Sequence, residues 1–257
     1  MELEVLHPKL SFPEVIRQYG YPVLSKELSQ KVYEARRNPN AKVAERFKPG
    51  GEHEKKFGSR YNLEKWSPLL TTDFKISHEC CASMKKRPVK KYEKETGRVP
   101  IIGTLAEESF LRTNEWLKHG CNAFDAARPT SQPLSFWTEQ DILQYIKNKD
   151  LPIASVYGEI IPTGQTFVFP DEIQELCCTG CNRTGCTFCG FGVQSEKGET
   201  RFQRLKRTHP RLWEYCISGG AYDPEDGLWK PTKQGLGMRH VFDTLNQIYG
   251  ANFIRYE

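Results

Sequence analysis

The chain has 257 residues, with 37 Lys plus Arg against 32 Asp plus Glu, a formal net charge of +5. That length supports one or two domains with a real core and no need of disulfides. The small positive excess suits an anionic small ligand or a weak nucleic-acid contact without demanding either. The longest apolar runs, such as residues 99–102, fall far short of the ~20 residues a membrane-spanning helix takes. The Met-Glu-Leu-Glu-Val-Leu start has no basic segment followed by an apolar stretch. A cytoplasmic protein with no membrane contact is therefore expected.

Residues 3–6 read as a short strand. Residues 25–37 read as a helix, with Ser25 as N-cap and Leu28, Val32 and Ala35 on one face. Residues 38–60 are polar, contain Pro39, Pro49, Gly50 and Gly51, and read as a loop. A short strand over 74–76 leads into Cys80-Cys81. A helix over 88–96 follows, with Pro in its first turn and Gly97 as its stop. Residues 99–102 read as a buried strand ending at Gly103. A helix over 106–119 comes next, with Phe110, Leu111 and Leu117 as its apolar side and Gly120 as its end. This strand–loop–helix unit predicts an α/β fold with a parallel sheet. Ligands in such folds sit beyond the C-terminal ends of the strands, so residues 103–109 form a candidate site wall. Trp137 reads as core packing. Thr138 and Asp141 have capping-box spacing and open a helix with Ile142, Leu143 and Ile146 as its stripe. Residues 201–216 are helical in pattern but interrupted by Pro210. Met238, Val241, Phe242, Leu245, Ile248 and Tyr249 give the cleanest helical spacing, stopped by Gly250, and residues 252–256 read as a closing strand.

Nine cysteines are an odd set for closed disulfides, and they cluster. Cys80 and Cys81 are adjacent, Cys177, Cys178, Cys181, Cys186 and Cys189 fall close together, and Cys121 and Cys216 stand alone. In a reducing compartment such clusters point to metal or cluster ligands. Two turns, Cys178-Thr-Gly-Cys181 and Cys186-Thr-Phe-Cys189, can each aim two sulfurs at one centre. Two schemes compete. Both turns together make a four-thiolate zinc site, or Cys186 and Cys189 join Cys80 and Cys81 around a four-iron cluster. Adjacent cysteines chelate a single ion poorly and suit a larger cluster better. Unliganded reduced thiols are the plain alternative. Cys121 reads as a core thiol, and Cys216, in His209-Pro-Arg-Leu-Trp-Glu-Tyr-Cys216, as a packed helical thiol or an extra ligand.

Several segments taken together carry a family pattern. Cys80-Cys81-Ala-Ser-Met-Lys-Lys-Arg-Pro88 resembles the double-cysteine motif of adenylylsulfate and phosphoadenylylsulfate reductases. Ile101-Ile102-Gly-Thr-Leu-Ala-Glu-Glu-Ser109, with Arg112, is similar to the strand and loop that follow in that family. Pro133-Leu-Ser-Phe-Trp137-Thr-Glu-Gln-Asp141-Ile-Leu-Gln-Tyr-Ile146 and the run from Leu151-Pro152 to Tyr157 are similar to its next helix and extension. Gly185-Cys186-Thr-Phe-Cys189 falls where its second cysteine pair falls. The order and spacing agree from Ile76 to Cys189. Tyr92-Glu-Lys-Glu-Thr-Gly-Arg98 and Arg183-Thr-Gly-Cys186 look most like a phage and bacterial branch.

The resemblance implies a Rossmann-like parallel sheet of the adenine nucleotide alpha-hydrolase type. It implies a [4Fe-4S] cluster, with zinc as the alternative, on Cys80, Cys81, Cys186 and Cys189. It also implies an adenine sulfonucleotide bound through Lys85, Lys86, Ser109, Arg112 and Arg128, since Arg and Lys suit an anionic sulfate–phosphate anhydride. Two departures stand out. A Ser-Gly-Gly-Lys-Asp-Ser type phosphate loop is missing, and Ser218-Gly-Gly-Ala-Tyr-Asp223 is rejected as a substitute because no strand precedes it and Pro224 follows. An N-terminally incomplete sheet is therefore expected, covered by a partner chain or by self-association. The final Asn-Phe-Ile-Arg-Tyr-Glu also has no nucleophilic cysteine, so no catalytic residue is assigned. The expected organisation is an α/β domain over 1–170 and a Cys-rich helical region over 171–257. The functional expectation is a reductase-like protein acting on an activated sulfur nucleotide or in sulfur transfer. The alternative is a non-catalytic metal-stabilised module that binds nucleic acid or a partner protein.

Overall fold

The computed structural model describes residues 3–59, 62–164, 174–181 and 184–257. The expected boundary at 170/171 and Arg183 lie outside the described residues. The chain forms two compact units. The first joins residues up to Lys91 with Cys186–Glu257, and the second is Tyr92–Gly185.

In the first unit, helix Lys26–Arg37 starts where expected. The Ser25 side chain accepts the Leu28 amide at 3.1 Å, and the helix buries Leu28, Val32 and Ala35. Helix Met238–Tyr249 buries Met238, Val241, Phe242 and Leu245. Pro210 divides the preceding helical run into Arg201–Thr208 and Pro210–Ile217, since proline fits a first turn but not a helix interior. Phe202 lies against Phe242 at 4.9 Å between ring centroids, and the Trp213 indole donates to the Tyr256 carbonyl at 2.9 Å. These contacts, with Tyr21, Phe74 and Ile76, form one continuous core. The sheet within it is small. Val23–Leu24 pairs in parallel with Gly190–Phe191, and Tyr21 bridges Ile76 in parallel. This parallel pairing between distant segments is compatible with an α/β nucleotide alpha-hydrolase fold.

The second unit is thinner. Helix Phe110–His119 follows a 3-10 turn at Ala106–Glu108, so the single helix expected over 106–119 is broken at Ser109. Asn122–Ala123 pairs antiparallel with Thr130–Ser131, and Ile160–Pro162 with Leu176–Cys178. The capping box expected at Thr138 is present and opens helix Glu139–Asn148.

Several expectations need correction. Residues 3–6 and 252–256 are not strands, although Ile254 and Tyr256 are buried, and residues 99–102 are reduced to one bridge between Ile101 and Ser131. The loop expected over 38–60 contains two short helices, Lys42–Glu45 and Glu52–Phe57. Phe110, Leu111 and Leu117 are 79%, 75% and 70% exposed, so the apolar side of their helix is not packed. Periodicity marks a face but does not supply what covers it. Among the described residues no helix is long and apolar enough to cross a membrane.

Candidate functional site

The cysteine pair sits at a change of helix type. The Ser77 hydroxyl accepts the Glu79 amide at 3.0 Å and starts the turn Glu79–Cys81. The chain then widens into a π-helical turn over Ala82–Lys86 before helix Arg87–Thr96. The physical reason is Pro88. It has no amide hydrogen to give the Met84 carbonyl, and its ring crowds that carbonyl in an ordinary α-turn. The wider turn lies where that conflict falls, and π turns are concentrated at functional sites. Sequence reasoning missed it, although Pro88 was the available signal. Arg87 braces the turn by donating to Ser83 Oγ at 2.6 Å and Glu79 Oε2 at 2.5 Å.

The second pair comes from a distant part of the chain. The Cys189 amide donates to the Cys186 carbonyl at 3.0 Å, closing the Cys-Thr-Phe-Cys turn. The next residues, Gly190–Phe191, are the strand paired with Val23–Leu24, which anchors the turn in the first unit. Arg201 donates to the Cys189 carbonyl at 3.2 Å.

The two pairs meet. The Cys80 thiol donates to Cys81, which pushes Cys80 up, and burial with the charges of Cys81 and Cys189 adds to the rise. Cys81 is held down at about 6, first by that hydrogen bond and then by Lys26, Lys85 and Lys86, against a desolvation that raises it. Burial raises the Cys189 thiol, with Cys186 and Cys81 adding to the rise, while an amide hydrogen bond from Phe191 and the charge of Arg201 oppose it. Cys80 is 8% exposed, Cys81 and Cys189 are half-buried, and Cys186 is exposed.

Among the described residues no three His, Cys, Asp or Glu side chains are grouped to hold one metal ion. The donor set instead suits a larger, thiolate-held centre. It offers four sulfurs from two turns, with Lys26, Lys85, Lys86 and Arg201 nearby to offset the negative charge of deprotonated thiols. Cys177 and Cys178 lie on strand Leu176–Cys178 and, with Cys181, belong to the second unit, whereas Cys186 and Cys189 belong to the first. Burial raises Cys178, with Glu139 and Cys177 adding to the rise.

The expected anion-binding residues divide between the units. Lys85 and Lys86 are exposed on the π turn of the first. In the second, Ser109 Oγ caps its helix by accepting the Arg112 amide at 3.3 Å, and Arg112 pairs with Glu108. Arg128 forks onto Glu93 at 2.9 and 2.5 Å. An anion at either arginine must compete with a carboxylate already there. The Arg128–Glu93 pair joins residues far apart in sequence, and no local pattern announced it.

Cys216 is fully buried, its thiol is 3.4 Å from the Met238 sulfur, and burial raises its pKa, so it is a packed thiol and not a poised nucleophile. Cys121 is only half-buried, so the core expected for it is not there. Trp137, also expected in the core, is half-buried and edge-on to Phe136 and Tyr145. His78 lies edge-on to Tyr33 at 6.1 Å. Ser218-Gly-Gly is a structural turn: Gly219 bridges Leu236, and Gly220 is pressed against Trp229.

Comparison with protein-family models matches residues 7–190 to the phosphoadenosine phosphosulfate reductase domain. No curated protein and no solved structure gave a match.

Proposed function

Because the chain belongs to the phosphoadenosine phosphosulfate reductase domain family, we propose that it acts on an activated adenine sulfonucleotide or in transfer of its sulfur, at a centre held by Cys80, Cys81, Cys186 and Cys189. The observation that supports this reading is that Cys189 lies within electrostatic reach of Cys80 and Cys81, with Cys186 in the same turn as Cys189. Cys80, Cys81, Cys186 and Cys189 would be the thiolates to hold a [4Fe-4S] cluster, which would supply redox chemistry when bound. The chain's own contribution is electrostatic and positional. Lys26, Lys85 and Lys86 favour the Cys81 thiolate. The two exposed lysines on the π turn offer charge to a sulfate or phosphate oxygen. The braces from Arg87 and Arg201 fix the two turns that carry the sulfurs. The Rossmann-like arrangement of the whole family belongs to this reading, with the parallel pairing of Val23–Leu24 as its local support.

The test is metal and sulfide content with a visible spectrum on anaerobically purified protein, repeated for Cys186→Ser. The expected result is iron and sulfide with a broad brown absorption that the substitution abolishes. Zinc alone in a colourless protein overturns the cluster reading. An adenine sulfonucleotide in large excess over its dissociation constant is expected to raise the melting temperature by mass action.

A further inference from the structure

The family match ends at residue 190, yet side chains that hold the second cysteine turn lie beyond it. Arg201 Nη1 donates to the Cys189 carbonyl at 3.2 Å. The same arginine is fixed by Glu196, whose carboxylate accepts its main-chain amide at 2.8 Å and its Nε at 2.6 Å. Arg255 holds Glu196 from behind, donating from Nη2 to the Glu196 carbonyl at 2.6 Å. All three side chains are half-buried. A chain of hydrogen bonds thus runs from residue 255 to the cysteine turn.

The far end of that chain is itself tied down. Residues 254–257 form no strand, and each of their carbonyls accepts a helix or helix-cap side chain instead. Asn246 donates to Ile254 at 3.1 Å, Thr200 to Arg255 at 2.6 Å, Trp213 to Tyr256 at 2.9 Å and Gln203 to Glu257 at 2.8 Å. Ile254, Tyr256 and Thr200 are buried, so this segment is a fixed point of the first unit. On its other side the turn runs into the strand, where the Gly190 amide donates to the Pro22 carbonyl at 3.0 Å. Cys189 is therefore gripped from two directions, by the strand and by Arg201. Glu196 offsets the arginine's charge, so what Arg201 adds is geometry. Its planar fork faces a carboxylate and a carbonyl at once, which the single ammonium of lysine does not. Groups behind a ligating side chain orient it. We propose that Arg201 is a positioning residue for the Cys186–Cys189 turn, anchored through Glu196 and Arg255 on the closing segment 254–257. The proposal rests on the reading of Cys186 and Cys189 as working thiols, and it adds to their site a part of the chain outside the matched domain.

The test maps, by mass, the rate at which a thiol reagent modifies each cysteine of the full chain, reduced and metal-free. The variants are Arg201→Gln, Arg201→Lys, Arg255→Ala and Arg207→Gln. Arg207 forks onto Glu199 at 2.9 and 2.9 Å, so its substitution removes one charge at the other end of the same helix. Cys189 is expected to react about tenfold faster in Arg201→Gln and in Arg201→Lys, the scale of one charge-assisted hydrogen bond. In Arg255→Ala, whose carbonyl stays with Thr200, the expected rise is about threefold. Arg207→Gln is expected to match the wild type, and buried Cys216 to stay slow throughout. Wild-type rates at Cys189 in Arg201→Gln or Arg255→Ala, full rescue by Arg201→Lys, a matching rise in Arg207→Gln, or an equal rise at Cys216 would each overturn the proposal. Iron and sulfide uptake is measured separately. If the wild-type chain takes up no iron, the cluster reading fails while the thiol rates still decide the brace. With iron bound, Arg201→Gln is expected to lose it to a chelator about tenfold faster, and an unchanged rate of loss would overturn the positioning role.

Discussion

Gly220→Ala tests whether the Ser218-Gly-Gly segment is a packed turn or a phosphate cradle. Gly220 has φ +84°, and a Cβ there would lie 2.5 Å from Trp229 Cζ2 and 2.6 Å from Cε2. The indole has little room to retreat. Its Nε1 donates to the Gly237 carbonyl at 2.9 Å, and its ring packs on His240 at 4.5 Å and Tyr222 at 5.3 Å. Two costs therefore add. Left-handed backbone costs a non-glycine residue about 1–2 kcal/mol, and forcing an atom into a packed site costs about 1–3 kcal/mol more. Gly227→Ala separates them. Gly227 has φ +68°, and a Cβ there would meet nothing within 4 Å, so that position bears the backbone cost alone. Urea unfolding is expected to show Gly220→Ala losing about 2–5 kcal/mol and Gly227→Ala about 1–2 kcal/mol. Equal losses would refute the tight contact. Weaker nucleotide binding by Gly220→Ala at unchanged stability would return the segment to the role of phosphate loop.

Other expectations are as direct. Phe202→Ala removes a fully buried ring tilted against Phe242 and should cost about 3–5 kcal/mol in the same assay; a loss below ~1 kcal/mol would mean that the pair is not in the core. Glu14, Asp141, Glu199, Asp223 and Asp226 are all held below the ordinary carboxylate pKa, by Ser11, Thr138, Arg207, the Glu225 amide with Lys230, and Lys230 respectively. The folded chain thus binds fewer protons than the unfolded one. The stability these groups contribute is complete above about 4, the unfolded value, and is lost as pH falls through the depressed folded values. Melts at stepped pH should first lose the contribution of the depressed Cys81 thiol as pH falls from above neutral through about 6 and then drop again below about 4 as these carboxylates are protonated, and a melting point that rises on acidification would contradict the assignment. In metal-free protein a thiol reagent should modify exposed Cys186 early and buried Cys216 only on unfolding; mass mapping of rapidly modified Cys216 would refute its burial.

Local signals were the legible part of this fold. Ser25 and Thr138 cap the helices they were expected to cap, because a cap is decided by residues three positions apart. The strand expected at 99–102 and the packed face of Phe110, Leu111 and Leu117 were not found, because both depend on a covering layer that periodicity cannot supply. The basic candidates show the same limit. Arg112 is met by a nearby glutamate, visible at i−4, but Arg128 is met by Glu93 through a contact that only the fold creates. The cysteine pairs were legible through the order of family-like motifs, whereas their convergence in one unit depends on the parallel pairing of Val23–Leu24 with Gly190–Phe191.

That discontinuous unit imposes a timetable on synthesis. At ~5–20 residues per second, the roughly one hundred residues separating the two cysteine pairs take about 5–20 s to emerge. Throughout that interval Cys80 and Cys81 are on the nascent chain without Cys189, and Val23–Leu24 is without its parallel partner. Tyr92–Gly185, a contiguous unit, is complete before the first unit can close. The thiol pair therefore depends on the reducing conditions around the ribosome for its protection, and any delay in translating the intervening stretch lengthens its exposure to oxidants.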